Sequence, residues 1–117
     1  MRNLGLFLAT LLALGQVQAA KPHALFVVGT HHYSPHETMP ALASQLDALG
    51  WKTSVLNPGY NPEKNSKGIA GLERLQEADV AIFYTRFLTL PPDQFRLIQL
   101  YLEAGKPVVG FRTSTHA

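Results

Sequence analysis

The stretch ALFVVGTHHYSPHE, residues 24–37, decides the fold class. Its first five residues, Ala24 to Val28, form an unbroken apolar run that stops at Gly29. A strand with one wet face alternates apolar and polar residues, whereas a continuous run belongs to a strand buried on both faces of a parallel sheet. Ser34-Pro35-His36-Glu37 then has the form of a helix start. Proline stands at the first helical position, and Ser34 and Glu37 have capping-box spacing. Met39, Leu42, Leu46 and Leu49 recur at helical spacing up to Gly50, so a helix follows the strand. Pro40 lacks a backbone donor, which predicts a regular helix starting nearer Thr38.

The same grammar repeats downstream. Trp51 to Leu56 reads as a second strand closed by Asn57-Pro58-Gly59, and Tyr60 to Gly68 is polar and without period, which predicts a surface loop. Leu72 and Leu75 anchor a short helix, and Val80 to Tyr84 forms a third strand, again apolar enough for burial on both faces. Pro91 and Pro92 open a helix with Phe95, Ile98, Tyr101 and Leu102 on one side, ended by Gly105, and Val108 to Phe111 is the fourth strand. Strand and helix alternate throughout. With right-handed crossovers this predicts an α/β fold, a doubly wound parallel sheet of flavodoxin-like, three-layer αβα type in the order 2-1-3-4. Four strands suggest an incomplete sheet, because the apolar fourth strand would form an edge with only six residues after it.

Ahead of this unit, Leu4 to Leu14 is an apolar run behind Met1-Arg2-Asn3, and Val17-Gln18-Ala19 puts small residues where a signal peptidase cuts. The run is about half of the roughly 20 apolar residues that a bilayer span requires. Residues 1–19 are therefore expected to be a bacterial secretory signal, and 20–117 a periplasmic or secreted domain with no membrane span after signal removal. The chain has ten Lys plus Arg and eight Asp plus Glu, and losing Arg2 leaves nine against eight. So even a balance makes no electrostatic case for nucleic acid as partner. No cysteine is present, which excludes disulfides, thiolate metal sites and a cysteine nucleophile.

In doubly wound sheets the ligand sits beyond the carboxyl ends of the strands, where the winding reverses beside the first strand. Thr30-His31-His32-Tyr33, Thr85-Arg86-Phe87 and Arg112-Thr113-Ser114-Thr115-His116 all follow strands at that edge. The segments Phe83-Tyr84-Thr85-Arg86-Phe87 with Leu90-Pro91, and more specifically Gly105 to Ala117, resemble the ThuA-like family. That family, named for trehalose utilisation, lies within the class I glutamine amidotransferase-like superfamily. The likeness runs from Ala24 to Ala117 and resembles the N-terminal portion of the family's domain. It implies a carbohydrate-linked role. In amidotransferase relatives the turn after the fourth strand bears a nucleophilic cysteine; Arg112, Thr113 and Ser114 stand there instead, which argues against amidotransferase chemistry.

The candidate ligand-binding residues are His31, Tyr33, Arg86, Arg112 and Thr113. Arginine at a strand end can bind a carboxylate, sulfate or sugar hydroxyls in fixed geometry, or it can pair with a structural carboxylate such as Glu37. Glu37 itself reads first as the partner of Ser34 in the capping box. Tyr33 can stack on a sugar ring. The catalytic candidates are His31, Ser114 and His116, because a hydroxyl needs a nearby base to become a nucleophile. His31, His32, His36 and His116 include ligand types for a metal, but Pro35 between His32 and His36 weakens the pairing, and neither metal nor cofactor is expected. Three readings stay open: an enzyme acting on a carbohydrate or its oxidised derivative, a non-catalytic sugar or anion-binding module, and an inactive fragment. For the first two the partner is a small polar metabolite or sugar, whereas a fragment alone does neither and is expected to self-associate through the apolar edge.

Overall fold

In a computed structural model of the chain, residues 20–65 and 67–116 are described. The proposed signal, 1–19, lies outside the described residues. Four strands, β1 (His23–Gly29), β2 (Lys52–Leu56), β3 (Val80–Thr85) and β4 (Val108–Gly110), form one all-parallel sheet in the order β2-β1-β3-β4. The chain thus has the flavodoxin-like α/β architecture that its sequence pattern predicts. β1 is central. Its register sets Leu25 beside Ser54 and Ala81, and Val27 beside Leu56 and Phe83.

All seven residues of β1 are buried, and their alternation divides the core in two. Ala24, Phe26 and Val28 face α1 (Pro35–Ala48), meeting Met39 and Ala43. Leu25 and Val27 face the other layer, where Leu72 and Leu75 of a 3₁₀ turn (Leu72–Glu77) pack with Tyr101 of α2 (Pro92–Glu103). Both faces of β1 are therefore dry, which is why its sequence reads as one apolar run. Burial raises the pKa of the Tyr101 hydroxyl, with Asp79 adding to the rise, and that hydroxyl donates to the Pro107 carbonyl at 2.7 Å.

Three local expectations are corrected. First, Ser34 does not close a capping box. It is the N-cap residue in left-handed geometry, φ 58°, with no side-chain cap bond, and its carbonyl accepts from the Glu37 and Thr38 amides instead. Second, α1 starts at Pro35 rather than near Thr38, with Pro40 inside it. A proline there leaves the carbonyl four residues back without its helical partner. That carbonyl belongs to His36, and Asn57 Nδ2 donates to it at 2.9 Å, replacing the missing backbone bond. Third, helical spacing does not bury every apolar residue it picks out: Leu49 forms the C-cap of α1 and is 76% exposed, and Phe95 and Leu102, on one side of α2 with Ile98 and Tyr101, are exposed as well. In α2 the buried side is carried by Tyr101, with Leu97 and Ile98 packed against the core.

Candidate functional site

β1 and β3 end side by side, with Gly29 opposite Thr85, so the turns that follow emerge together at the carboxyl edge. Thr30 is fully buried there. Its hydroxyl donates to Glu63 Oε2 at 2.6 Å and accepts from the His32 amide at 3.0 Å. The turn closes when the Ser34 amide donates to the His31 carbonyl, and it carries Tyr33 and Ser34 in left-handed backbone, φ 65° and 58°. Non-glycine residues pay a steric penalty in that region, so the surrounding contacts must hold the turn in place.

The polar segment Tyr60 to Gly68 is more than a surface loop. Asn61 caps a 3₁₀ turn (Pro62–Lys64), and its Oδ1 accepts from both the Glu63 and His31 amides at 3.2 Å. This one side chain fastens the loop to the turn after β1. Glu63 then lies with its second oxygen 3.6 Å from Arg86 Nη1 and with only 16% of its side chain exposed. The carboxylate opposite Arg86 is thus Glu63, while Glu37 is exposed and stands 4.0 Å from His36 Nε2. Neither Asn61 nor Glu63 is among the sequence-derived candidates. Asparagine before proline is a recognisable helix-start signal and marks the turn, but the contact with a residue 23 positions later is fixed only by sheet topology.

Arg112 sits elsewhere on the same edge. Its guanidinium lies over the Tyr33 ring, 5.6 Å from the centroid, and it has no carboxylate partner among the described residues. Tyr33 remains 55% exposed. The Arg86 guanidinium lies over Phe87, whose amide donates to the His116 carbonyl. Each arginine is therefore brought to the turn after β1 by a different route, Arg86 through Glu63 and Thr30, Arg112 through Tyr33.

The hydroxyl candidates are engaged. Thr113, at φ 81°, donates to the Thr85 carbonyl at 2.9 Å, and Ser114 Oγ donates to the Phe83 carbonyl at 3.0 Å while accepting from the Thr85 amide. These bonds tie the 3₁₀ turn Ser114–His116 to the end of β3. His116 is exposed, with its ring 5.9 Å from that of Phe87. His31 stacks on His36, centroids 3.9 Å apart, and burial lowers its pKa below the ordinary value of 6.5, with the charge of His36 adding to the effect. A neutral imidazole is a competent proton acceptor. Among the described residues no group of three or more His, Cys, Asp and Glu is arranged to hold a metal, and no helix is long and apolar enough to cross a membrane. Comparison with family models, with curated proteins and with solved structures finds no match.

Proposed function

We propose that this is an exported, ThuA-like domain with a carbohydrate-linked role, which binds a sugar acid or a related polar metabolite at the carboxyl edge of its sheet. The observation that carries the reading is Arg112 over Tyr33: a guanidinium with no carboxylate partner among the described residues, beside a largely exposed aromatic ring. A planar guanidinium recognises a carboxylate through two parallel bonds, and a tyrosine ring offers a flat surface to the apolar face of a sugar. Arg86 is already opposed by Glu63, so its part is to hold the Thr30 turn in place.

Binding without acyl transfer is favoured over a hydroxyl nucleophile because Thr113 and Ser114 spend their protons on β3 carbonyls. Calorimetry with glucuronate as probe tests the reading. Arg112→Ala is expected to weaken binding by about 1.5 to 3 kcal/mol, the range for a hydrogen bond to a charged group. Unchanged affinity in a folded variant would return Arg112 to a purely structural role.

A further inference from the structure

The turn after β1 and the first turn of α1 together hold a feature that ligand recognition does not use. His31 and His36 are stacked face to face, 3.9 Å between centroids and 26° between planes. His31 Nε2 and His36 Nδ1 are both buried and have no hydrogen-bond partner among the described residues. Buried polar atoms are ordinarily paired, so two orphaned ring nitrogens in one contact are unusual. The stack is also anchored on both sides. The His31 amide donates to Asn61 Oδ1, and the His36 carbonyl accepts from Asn57 Nδ2. The backbone between the two rings passes through Tyr33 and Ser34, both left-handed and neither glycine.

We propose that the stacked His31–His36 pair is a proton-operated latch, which holds the Tyr33 turn against Arg112 while it carries at most one proton and releases that turn when both rings are charged. Two imidazolium rings at stacking distance repel, and the surroundings offer little to offset a second charge. From α1 the facing carboxylate is Glu37, 4.0 Å from His36 Nε2 and exposed. From the 61–63 loop the carboxylate is Glu63, already opposed by Arg86 and bonded by Thr30. The end of β2 contributes the neutral Asn57 amide, and beyond β4 the cationic Arg112 lies over Tyr33. His32, tilted on Tyr33 with centroids 4.1 Å apart, is a further titratable neighbour. Once the stack parts, the two left-handed residues lose one of the contacts that hold them, leaving the Ser34 amide on the His31 carbonyl to keep the turn closed, and they can relax toward commoner backbone. Tyr33 then moves away from Arg112.

The consequence for ligand rests on the binding role proposed for Tyr33 and Arg112, but the latch itself is measurable without any ligand. In the full chain, NMR would follow the Tyr33 amide and the histidine ring signals from pH 8 to pH 4.5, alongside calorimetry with glucuronate at both ends of that range. The expected result is a Tyr33 shift in step with His31 and His36, retained in His32→Asn and lost in His36→Phe, which keeps an aromatic stack that cannot charge. A Tyr33 amide that stays fixed while both rings titrate would overturn the latch, as would a shift that survives in His36→Phe or vanishes in His32→Asn. If Tyr33 moves as expected yet glucuronate binds at neither pH, the latch stands and the binding role fails. If glucuronate binds equally at both while Tyr33 is fixed, the binding role stands and the latch fails.

Discussion

At the scale of single residues, the site is governed by which polar groups have partners and which do not. Arg86 and Arg112 look equivalent in the sequence, each one residue or two beyond a strand, yet only Arg86 meets a carboxylate. His31 shows the same dependence on surroundings. Burial disfavours its charged form, and the charge of His36 disfavours it further, so its folded-state pKa lies below 6.5. The unfolded chain consequently takes up the proton first. Stability from this group is fully present above pH 6.5 and is lost as pH falls through 6.5 toward the folded-state value. Urea unfolding midpoints are expected to drop between pH 7.5 and pH 5, with a smaller drop in His31→Gln. Equal pH dependence in the two proteins would show that His31 contributes nothing to it.

At the scale of elements, two contacts decide whether the edge is held. The first is the close approach of β1 to β3 at the site. A methyl added at Gly29 would stand 2.6 Å from Thr85 Cγ2, closer than real side chains come, and a tight 3.0 Å from its Cβ. Both strands are fixed by their ladder, so Gly29→Ala is expected to cost about 1 to 3 kcal/mol, the range for overpacking a tight core. Denaturant titration measures it, and adding Thr85→Ala to the same protein, which removes the 2.6 Å contact but leaves the Thr85 Cβ at 3.0 Å, should restore part of the loss. No restoration would mean that the methyl acts elsewhere. The second contact is the clamp from α2 to the segment before the Leu72–Glu77 turn. Gln94 accepts from the Ile69 amide and donates to the Ile69 carbonyl, each at 2.8 Å, and Ile69 is fully buried. Replacing Gln94 with leucine leaves both backbone groups without partners at an expected cost of about 1 to 3 kcal/mol per buried group. Native-state hydrogen exchange should show faster exchange at Ile69 while β1 amides stay protected; unchanged protection at Ile69 would show that the clamp is dispensable.

At the scale of the whole molecule, the least covered strand of the sheet is β4, all of whose residues are exposed. Val108 and Val109 are 43% and 46% exposed, and a groove of about 300 Å³ runs beside them, lined by Phe83, Leu88, Phe95, Ile98 and Leu102. An edge strand with apolar side chains and unpaired backbone groups is prone to intermolecular pairing. Light scattering is expected to show an average mass that rises with protein concentration, and Val109→Lys is expected to suppress the rise. A constant monomer mass for the unsubstituted protein over the accessible range would count against self-association through this edge.

Sequence alone determined the class of fold and the edge where the candidate residues collect, because both depend on local pattern. The run Ala24 to Val28 requires burial on two sides, and alternating strand and helix with right-handed crossovers leaves few topologies besides the order found. Helix ends were legible where glycine carries a left-handed backbone, as at Gly50 and Gly105. Tertiary structure decided whatever depends on residues far apart in the chain. Ser34 and Glu37 have capping-box spacing, but the turn closed by the His31 carbonyl puts Ser34 in a left-handed conformation from which its side chain makes no cap. Pro40 should delay α1, but Asn57, 17 residues later, supplies the bond that proline removes. Glu63 reads as a solvated loop residue until the sheet brings Thr30 and Arg86 against it from either side. Periodicity and turn chemistry are written over a few neighbouring residues, whereas the partner of a charge is set by how the strands stack, and that is fixed only when the whole sheet has formed.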